Sequence, residues 1–561
     1  MDKPGLAHLS FFGLLSLILT AVMETGEAQA APPIPQAGAT QRAIGRDPVQ
    51  QLQEDVERYR QQREVRQLQE QRREIQDRAP PAQPAGDLGN FRFKLNGVDH
   101  NPSLILRDDE IALRVKPFIG REVSMADVQA MLAAINALYR EKGFVVCEAR
   151  LMPQRIRNGE LFVTLIEGKT GKVTVRGAEH TSDAYIKNAF DLEAGQVSNY
   201  RELSHDLVRF NMTNDVVLSV DIRAGEAPET TDYEITAHEP DNWTGTIFAD
   251  TTGAKSTGRP RAGLSVTNRS VFGRRDAATL LGLTSEGSRS AMFSYSLPVN
   301  SLGTRITGSA SYGKVEVINR AEAGDVTAES QYYSLHADHP VYADAGMKWT
   351  IYGEWNRQIS KTDFFDVTIN DTSIDTYKSG AEAIFLGARS VFYATAGVQH
   401  AIAKEKTFDE RWVSNLAAGN AFWRWQATPG TMLSVSGAWQ AVIGGDPLTT
   451  TQYFYLGHTN GVRGYDNDVL SAEQGAYINL EASYAPAGPQ TAIFAFLDAG
   501  RLGRTSSYEK RELASVGAGV TWPLWSGASI TGTAGFPLIR NIGGGEHVSK
   551  ARFDLAVSAV W

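Results

Sequence analysis

The sequence predicts a mainly β protein: a 16-stranded transmembrane outer-membrane β-barrel, preceded by two small α/β domains and an N-terminal helix. Three observations carry that prediction. From about residue 242 onward, short segments of alternating polarity repeat between Gly, Asn, Asp and Ser turns, and no helical period interrupts them. Residues 240–561, at roughly 20 residues per strand and loop, accommodate about 16 strands, an even number as bacterial barrels have. The chain opens on a segment patterned for export and carries one cysteine. A soluble β-sandwich shows the same alternation but rarely needs so long a chain.

Composition narrows the function. A net charge of −9 argues against a broad nucleic-acid footprint. One cysteine, Cys147, excludes a disulfide within the chain and argues against a structural zinc site. In G-F-V-V-C-E it reads as a small buried hydrophobe.

Each element follows in chain order. Leu9 to Met23 is a short apolar run, and A-Q-A at Ala28 to Ala30 is a cleavage site, so residues 1–30 read as a signal peptide. The run is too short to span a bilayer comfortably. Later segments lack 18 consecutive apolar residues, so helical membrane spans are not expected. Within 31–87, Asp47-Pro48 marks a helix start, an acidic N-cap with proline at the first helical position. The helix is expected to reach Asp77, a rod of roughly 44 Å. Val49, Leu52, Val56 and Tyr59 form an apolar stripe that then thins to Val65, Leu68 and Ile75. Three placements stay open: a solvated helix, a weak coiled coil, or a plug in a water-filled lumen. The Pro-rich stretch Ala79 to Gly86 ends it.

Residues 88–168 and 169–239 read as two βααββ units. In the first, F-R-F-K-L-N-G-V supplies a strand and I-L-R-D-D-E-I a turn. Ser124 caps a helix with Val128, Met131, Leu132, Ile135, Leu138 and Tyr139 on one face, stopped by Gly143. Strands F-V-V-C-E-A-R-L and L-F-V-T-L-I-E follow. The second unit has strand G-K-V-T-V-R-G, a short helix near Asp183 to Phe190, and a helix bearing Leu203, Leu207 and Phe210. Strands V-V-L-S-V-D-I and D-Y-E-I-T-A-H close it. At the end of the barrel region, Phe553, Leu555, Val557, Ala559 and Trp561 share one strand face, with Arg552 and Asp554 on the other.

Motifs of enzyme chemistry are weak here. Gly308 to Val315 matches most of a phosphate-binding P-loop, but Val315 stands where a magnesium ligand belongs and the context is strand. The histidines show no metal spacing and no G-x-S-x-G elbow occurs. We therefore expect no catalytic residues, no metal and no cofactor.

Several motifs, in this order, resemble the ShlB/FhaC/HecB family of two-partner secretion transporters (TpsB), which belongs to the BamA-like superfamily. Leu151 to Gly168 is similar to a family signature through Pro153, Gln154, Gly159, Glu167 and Gly168. D-N-W-T-G-T at Asp241 to Thr246 is similar to the start of the first barrel strand, and S-Y-S-L-P-V and H-P-V-Y to Pro-bearing strand ends. V-R-G-Y, Val462 to Tyr465, resembles the tip of the long sixth extracellular loop, and F-L-D-A-G-R, Phe496 to Arg501, its paired strand motif. The resemblance implies a plug helix, two periplasmic POTRA domains at 88–168 and 169–239, and a barrel at 240–561. The plug-like helix is longer and more charged than the family norm.

Arg463 has a physical reading as well. On the lipid face an arginine at mid-membrane costs on the order of 2–4 kcal/mol. On a loop tip it is either solvated or paired. Asp498, in the apolar strand A-I-F-A-F-L-D-A-G, needs a partner, and a loop folded into the lumen satisfies both charges. Gly464 and Gly500 would permit close backbone approach. The resemblance implies the same pair, a loop–barrel lock built from Val462, Arg463, Gly464, Tyr465, Phe496, Asp498 and Gly500.

By resemblance, the chain is a pore that exports a large secreted partner protein (an adhesin, haemolysin or contact-dependent toxin) from periplasm to cell surface. Expected contacts are that partner and outer-membrane lipid, with no nucleic acid, and the protein is expected to be a monomer. The alternative is an outer-membrane assembly factor of the same superfamily, which usually carries three or more POTRA domains.

Overall fold

The computed structural model describes residues 47, 49–53, 92–318, 325–407, 409–459, 461–467, 469–486, 491–503, 511–542 and 548–561. The expected signal peptide, the Pro-rich linker and most of the expected N-terminal helix lie outside them. The chain divides into two compact units, both of them discontinuous in sequence.

The smaller unit holds both α/β domains. In the first, β1 (Arg92–Lys94) pairs with β3 (Glu122–Ser124), and β2 (Gly97–His100), β5 (Glu160–Ile166) and β4 (Glu148–Arg150) form a sheet in the order β2-β5-β4. Its helices are α1 (Asp108–Val115) and α2 (Met125–Glu141). Ser124 caps α2: its hydroxyl accepts from the Asp127 N–H at 3.2 Å, and the Asp127 carboxylate accepts from the Ser124 N–H at 2.8 Å. Those Ser124 bonds, aided by Arg121, hold the Asp127 carboxyl below the usual carboxylate range. Val128, Met131, Ile135, Leu138 and Tyr139 are buried, each apolar side chain contributing about 1.5–3 kcal/mol. Gly143 ends the helix at φ +91°.

Two expectations here need correction. I-L-R-D-D-E-I is not a turn, because Asp108–Val115 is helical. Its N-cap is Arg107, a residue type that gives no capping signal. Glu110 accepts from the Arg107 N–H at 3.0 Å, and three acids fill the first turn, where the helix dipole favours them. The strand expected over F-V-V-C-E-A-R-L shrinks to Glu148–Arg150 because residues 144–147 form a turn, the Cys147 N–H donating to the Phe144 carbonyl at 3.3 Å.

In the second domain β6 (Lys169–Arg176), β8 (Thr230–His238) and β7 (Val217–Ala224) form a sheet in the order β6-β8-β7, covered by α3 (Asp183–Lys187) and α4 (Tyr200–Thr213). The two domains meet end to end. The start of α4 sits on the end of α2, with the Tyr200 N–H donating to the Gly143 carbonyl at 2.9 Å and the Arg201 guanidinium to the Glu141 carbonyl at 2.9 Å.

The larger unit is a closed, antiparallel barrel of 16 strands. They are β9 (Trp243–Asp250), β10 (Arg261–Asn268), β11 (Ala277–Ser285), β12 (Ser288–Pro298), β13 (Arg305–Glu316), β14 (Val326–Ala343), β15 (Met347–Phe364), β16 (Val367–Leu386), β17 (Ser390–Glu405), β18 (Glu410–Thr428) and β19 (Thr431–Gly445). After two short strands inside a long loop, β20 (Phe454–Leu456) and β21 (Leu470–Ala472), come β22 (Gly475–Tyr484), β23 (Ala492–Leu502), β24 (Glu512–Trp525), β25 (Ala528–Pro537) and β26 (Arg552–Val560). Closure through β26 and β9 pairs every strand on both sides, as a hydrocarbon solvent requires.

Alternation assigns the faces. Leu280, Phe293, Leu335, Ile351, Ile493 and Leu497 point outward as an apolar surface, while Ser290, Ser311, Ser330, Asn356 and Asp498 point into the lumen. Phe553 and Leu555 face outward and Arg552 and Asp554 inward, as the terminal strand pattern predicts. Pro298 ends β12, and Pro340 sits at a bulge in β14, where a missing N–H is tolerated. The P-loop look-alike Gly308 to Val315 lies along β13.

Candidate functional site

The loop between β19 and β22, residues 446–474, does not extend away from the barrel. Its β20 and β21 form a small antiparallel pair, and Leu456, Val462, Tyr465, Leu470 and Ala472 are buried with Leu502, Leu513 and Ile542 as an apolar cluster. That burial folds the loop inward and sets the position of its charged tip.

Arg463 is held from several directions. Its Nε and Nη2 donate to the two oxygens of Asp498 at 2.7 and 2.9 Å, the bidentate geometry that suits a planar guanidinium. Its backbone N–H adds a third bond to Asp498 at 3.1 Å. Nη1 donates to Glu481 Oε2 at 2.6 Å, and the guanidinium carbon lies 3.7 Å from the centre of the Phe496 ring. Asp498, on β23, is fully buried, so the pair is desolvated rather than a surface contact. Glu481 and Phe496 are register partners on β22 and β23, so two adjacent strands build the socket.

The other motif residues seat the loop. Val462 is buried, and beneath it Gly500 leaves room for Leu456, whose Cδ2 lies 2.8 Å from where a Gly500 Cβ would be. Gly464 has φ +92° and rests against the backbone of Gly535 on β25, where an added Cβ would meet the Gly535 carbonyl carbon at 3.0 Å. The Tyr465 hydroxyl lies 2.9 and 2.8 Å from the carbonyl oxygens of Ala514 and Ile539. The Asn479 amide donates to the Gly461 carbonyl.

Glu481 is absent from the motif-based expectation, yet it completes the socket. Its signal was an acid within A-Y-I-N-L-E-A-S-Y, the same signal that marked Asp498.

Most signature residues of the first α/β domain make contacts within that domain. The Glu167 carboxylate accepts from the Tyr139 hydroxyl at 2.7 Å, the Leu104 N–H at 2.6 Å and the Ser103 hydroxyl, joining α2 to the loop before α1. Burial, with that carboxylate, pushes the Cys147 thiol up to about 12. Gln154 bonds both the N–H and the carbonyl of Phe162, at 2.9 and 2.6 Å, closing part of the β5 edge. Gly159 has φ +72°, and its carbonyl accepts from the Asn96 N–H at 2.7 Å. Gly168 lies against Thr231, and Pro153 is exposed.

One further lumen contact involves the expected N-terminal helix. Residues 49–53 are helical, and Asp47 accepts from the Val49 N–H at 2.9 Å as its cap. Asp47 also accepts from the Ser330 hydroxyl at 2.6 Å and the Gln358 amide at 3.1 Å, and Leu52 packs on Leu281 and Met292. All four partners are lumen-facing residues of β11, β12, β14 and β15. Among the described residues no three His, Cys, Asp or Glu side chains converge to hold a metal.

Residues 229–522, just over half of the chain, match the family described as haemolysin secretion/activation protein ShlB/FhaC/HecB. The chain belongs to that family. Residues 93–168 match the ShlB-type POTRA domain, so the first α/β unit is a POTRA domain. The heme/hemopexin transporter protein HuxB of Haemophilus influenzae (strain 86-028NP) is 23% identical over 540 residues, spanning 86% of this chain and 93% of that protein. The outer membrane transporter CdiB of Dickeya dadantii (strain 3937) is 23% identical over 511 residues, spanning 86% and 87%. Among solved structures, CdiB from Escherichia coli shares the fold, with a TM-score of 0.66 at 19% identity over 95% of this chain and all of that one. BamA from Haemophilus ducreyi lacking POTRA domains 1–3 gives 0.50 at 12% identity, over 84% of this chain and all of that one. As a ShlB/FhaC/HecB member, the protein is an outer-membrane β-barrel transporter with N-terminal POTRA domains, from a family of transporters rather than enzymes.

Proposed function

We propose that the protein exports one or a few large partner proteins across the outer membrane by two-partner secretion. In this reading residues 1–30 are an export signal and residues 31–87 a plug helix with its linker. Residues 88–168 and 169–239 are periplasmic capture domains, and residues 240–561 are the conduit, working as a monomer in outer-membrane lipid. The observation that carries the reading is the loop tip held in the lumen by Arg463 between Asp498 and Glu481. A bidentate, desolvated pair is an expensive way to hold a loop that merely covers a pore. It suits a loop whose seating supports a transport-competent barrel, and no proton transfer is asked of either residue.

Capture rests on β-augmentation. An extended chain adds to a sheet edge through main-chain hydrogen bonds, and β4 is an edge strand of the first POTRA sheet. Beside it, α2 and β4 border a groove of about 410 Å³ lined by Met125, Val128, Leu132, Asn136, Arg150 and Leu151. Release and folding of the partner outside would supply the drive.

The test is mass spectrometry of culture supernatants and outer membranes from the native host, with and without the gene. Loss of one or two large supernatant proteins, with the outer membrane unchanged, is expected. A general fall in outer-membrane barrel proteins would instead mark an assembly factor.

A further inference from the structure

The barrel closes where β26 meets β9, and that junction is short. Five register pairs join the two strands, from Val560–Thr246 to Ala556–Asp250, against eight at each neighbouring junction. Backbone bonds run from Gly245 and Trp561 at one end to the Thr251 N–H and the Leu555 carbonyl, 3.0 Å, at the other. Beyond that point the first residues of β26 continue toward the extracellular side, and side chains take over. The Leu555 N–H donates to the Thr251 hydroxyl at 3.0 Å, and the Arg552 guanidinium to the Thr251 carbonyl at 3.3 Å.

The same Arg552 reaches the long loop. Its Nη1 donates to the Tyr465 carbonyl at 3.0 Å and to Asp466 Oδ1 at 2.9 Å, while its Nε is held by Asp554 at 3.0 Å. Asp466 also receives Arg259, from the segment joining β9 to β10, at 2.5 Å. Asn467 donates to the Thr252 carbonyl at 2.5 Å. The two residues after Tyr465 thus touch β26 through Arg552 and, through Thr252 and Arg259, the segment that follows β9, at the level where backbone pairing ends.

We propose that Asp466 and Asn467 form a second anchor of the loop, a staple that joins β26 to the β9–β10 hairpin, and that Arg552 is its positioning residue. The Arg463 socket fixes the loop to β22 and β23. The staple carries the same loop across the barrel to its closing strands, replacing missing ladder bonds with charge-assisted ones. Seating of the loop and closure of the junction are then one event, and a loop that leaves its socket loosens the extracellular end of the β26–β9 pair. The inference rests on the reading of the loop as a transport element.

The test uses the full-length protein in planar bilayers, with Arg463 intact. Asp466→Asn removes the charge that Arg259 and Arg552 share; open-channel time should rise about tenfold, the scale of one charge-assisted hydrogen bond. A second pair of substitutions, Phe248→Cys with Ser558→Cys, places thiols on opposed residues of β9 and β26. In the Asp466→Asn background, oxidising that pair should return open time to the parental value and reduction should release it again. Unchanged conductance overturns the proposal, as does a rise that the cross-link leaves in place. Should Asp466→Asn insert poorly, judged by heat-dependent gel mobility, Arg259→Gln removes the other exposed arm and is read the same way. Arg463→Ala in parallel separates the two readings, because its effect on export tests the transport role and leaves the staple to be judged by conductance.

Discussion

The Asn136 side chain occupies the free edge of β4. Its Oδ1 accepts from the Ala149 N–H at 2.6 Å and its Nδ2 donates to the Ala149 carbonyl at 3.3 Å. An amide on α2 therefore fills the place that the next strand of the sheet would take.

An extended partner chain that adds to β4 has to displace that amide. Asn136→Ala leaves the Ala149 groups to water in the free protein and open to an arriving chain. With a photo-crosslinker at Arg150, the yield of partner cross-link is expected to rise roughly fivefold, the equivalent of about 1 kcal/mol for a neutral hydrogen bond. A yield that falls would mean that Asn136 shapes the groove rather than guards it.

Cys147 supplies a check on the first POTRA domain. Its thiol is buried and pushed up to about 12, by burial first and then by Glu167, so the reactive thiolate is scarce near neutral pH. Maleimide should label the folded protein very slowly at pH 8 and label it rapidly after denaturation. Glu167→Gln relieves part of the shift and frees the Tyr139 hydroxyl, so labelling of the folded variant should accelerate. Equal rates for parent and variant would place the carboxylate elsewhere.

The lumen contacts of Asp47 and Leu52 support a plug role for the helix they begin. Deleting residues 47–78 should raise ion conductance in planar bilayers. Asp47→Ala, which removes the Ser330 and Gln358 contacts together with the cap on Val49 but keeps the helix, should raise it less. Conductance unchanged by the deletion would assign the helix another task.

Much of this fold was legible in the chain because its elements obey strong local rules. The terminal strand alternates cleanly, so Phe553 and Leu555 could be set on one face and Arg552 on the other from the sequence alone, and the structure turns the first face outward. Helix α2 carries a serine cap, an apolar stripe and a glycine stop in the expected order. Helix α1 was not legible, because Arg107 caps it through its backbone N–H and the downstream Glu110, a pattern shared with exposed turns. The Arg463–Asp498 contact was legible in part: Asp498 was anomalous in an apolar strand, Arg463 on a loop tip read as either solvated or paired, and the motif resemblance pointed to the pair. The contacts of Asp466, Asn467 and Arg552 were not, because a polar residue on a loop or at a strand end is unremarked until the fold brings it to a seam. Asn136 was hidden for a similar reason: a lone asparagine on a helix reads as solvated.

We propose that the seated loop, held by Arg463, is needed for export and not for the barrel itself. Asp498 is fully buried, and removing its partner leaves an uncompensated charge, a cost of about 3–5 kcal/mol that the loop escapes by leaving its socket. The most direct measurement compares Arg463→Ala with the parental protein in the native host. Outer-membrane insertion is followed by heat-dependent gel mobility, and export by the partner's level in the supernatant. Parental insertion is expected, with export reduced at least about tenfold, since a tenfold shift needs only about 1.4 kcal/mol of that cost. Export at the parental level from a correctly inserted Arg463→Ala barrel would contradict it.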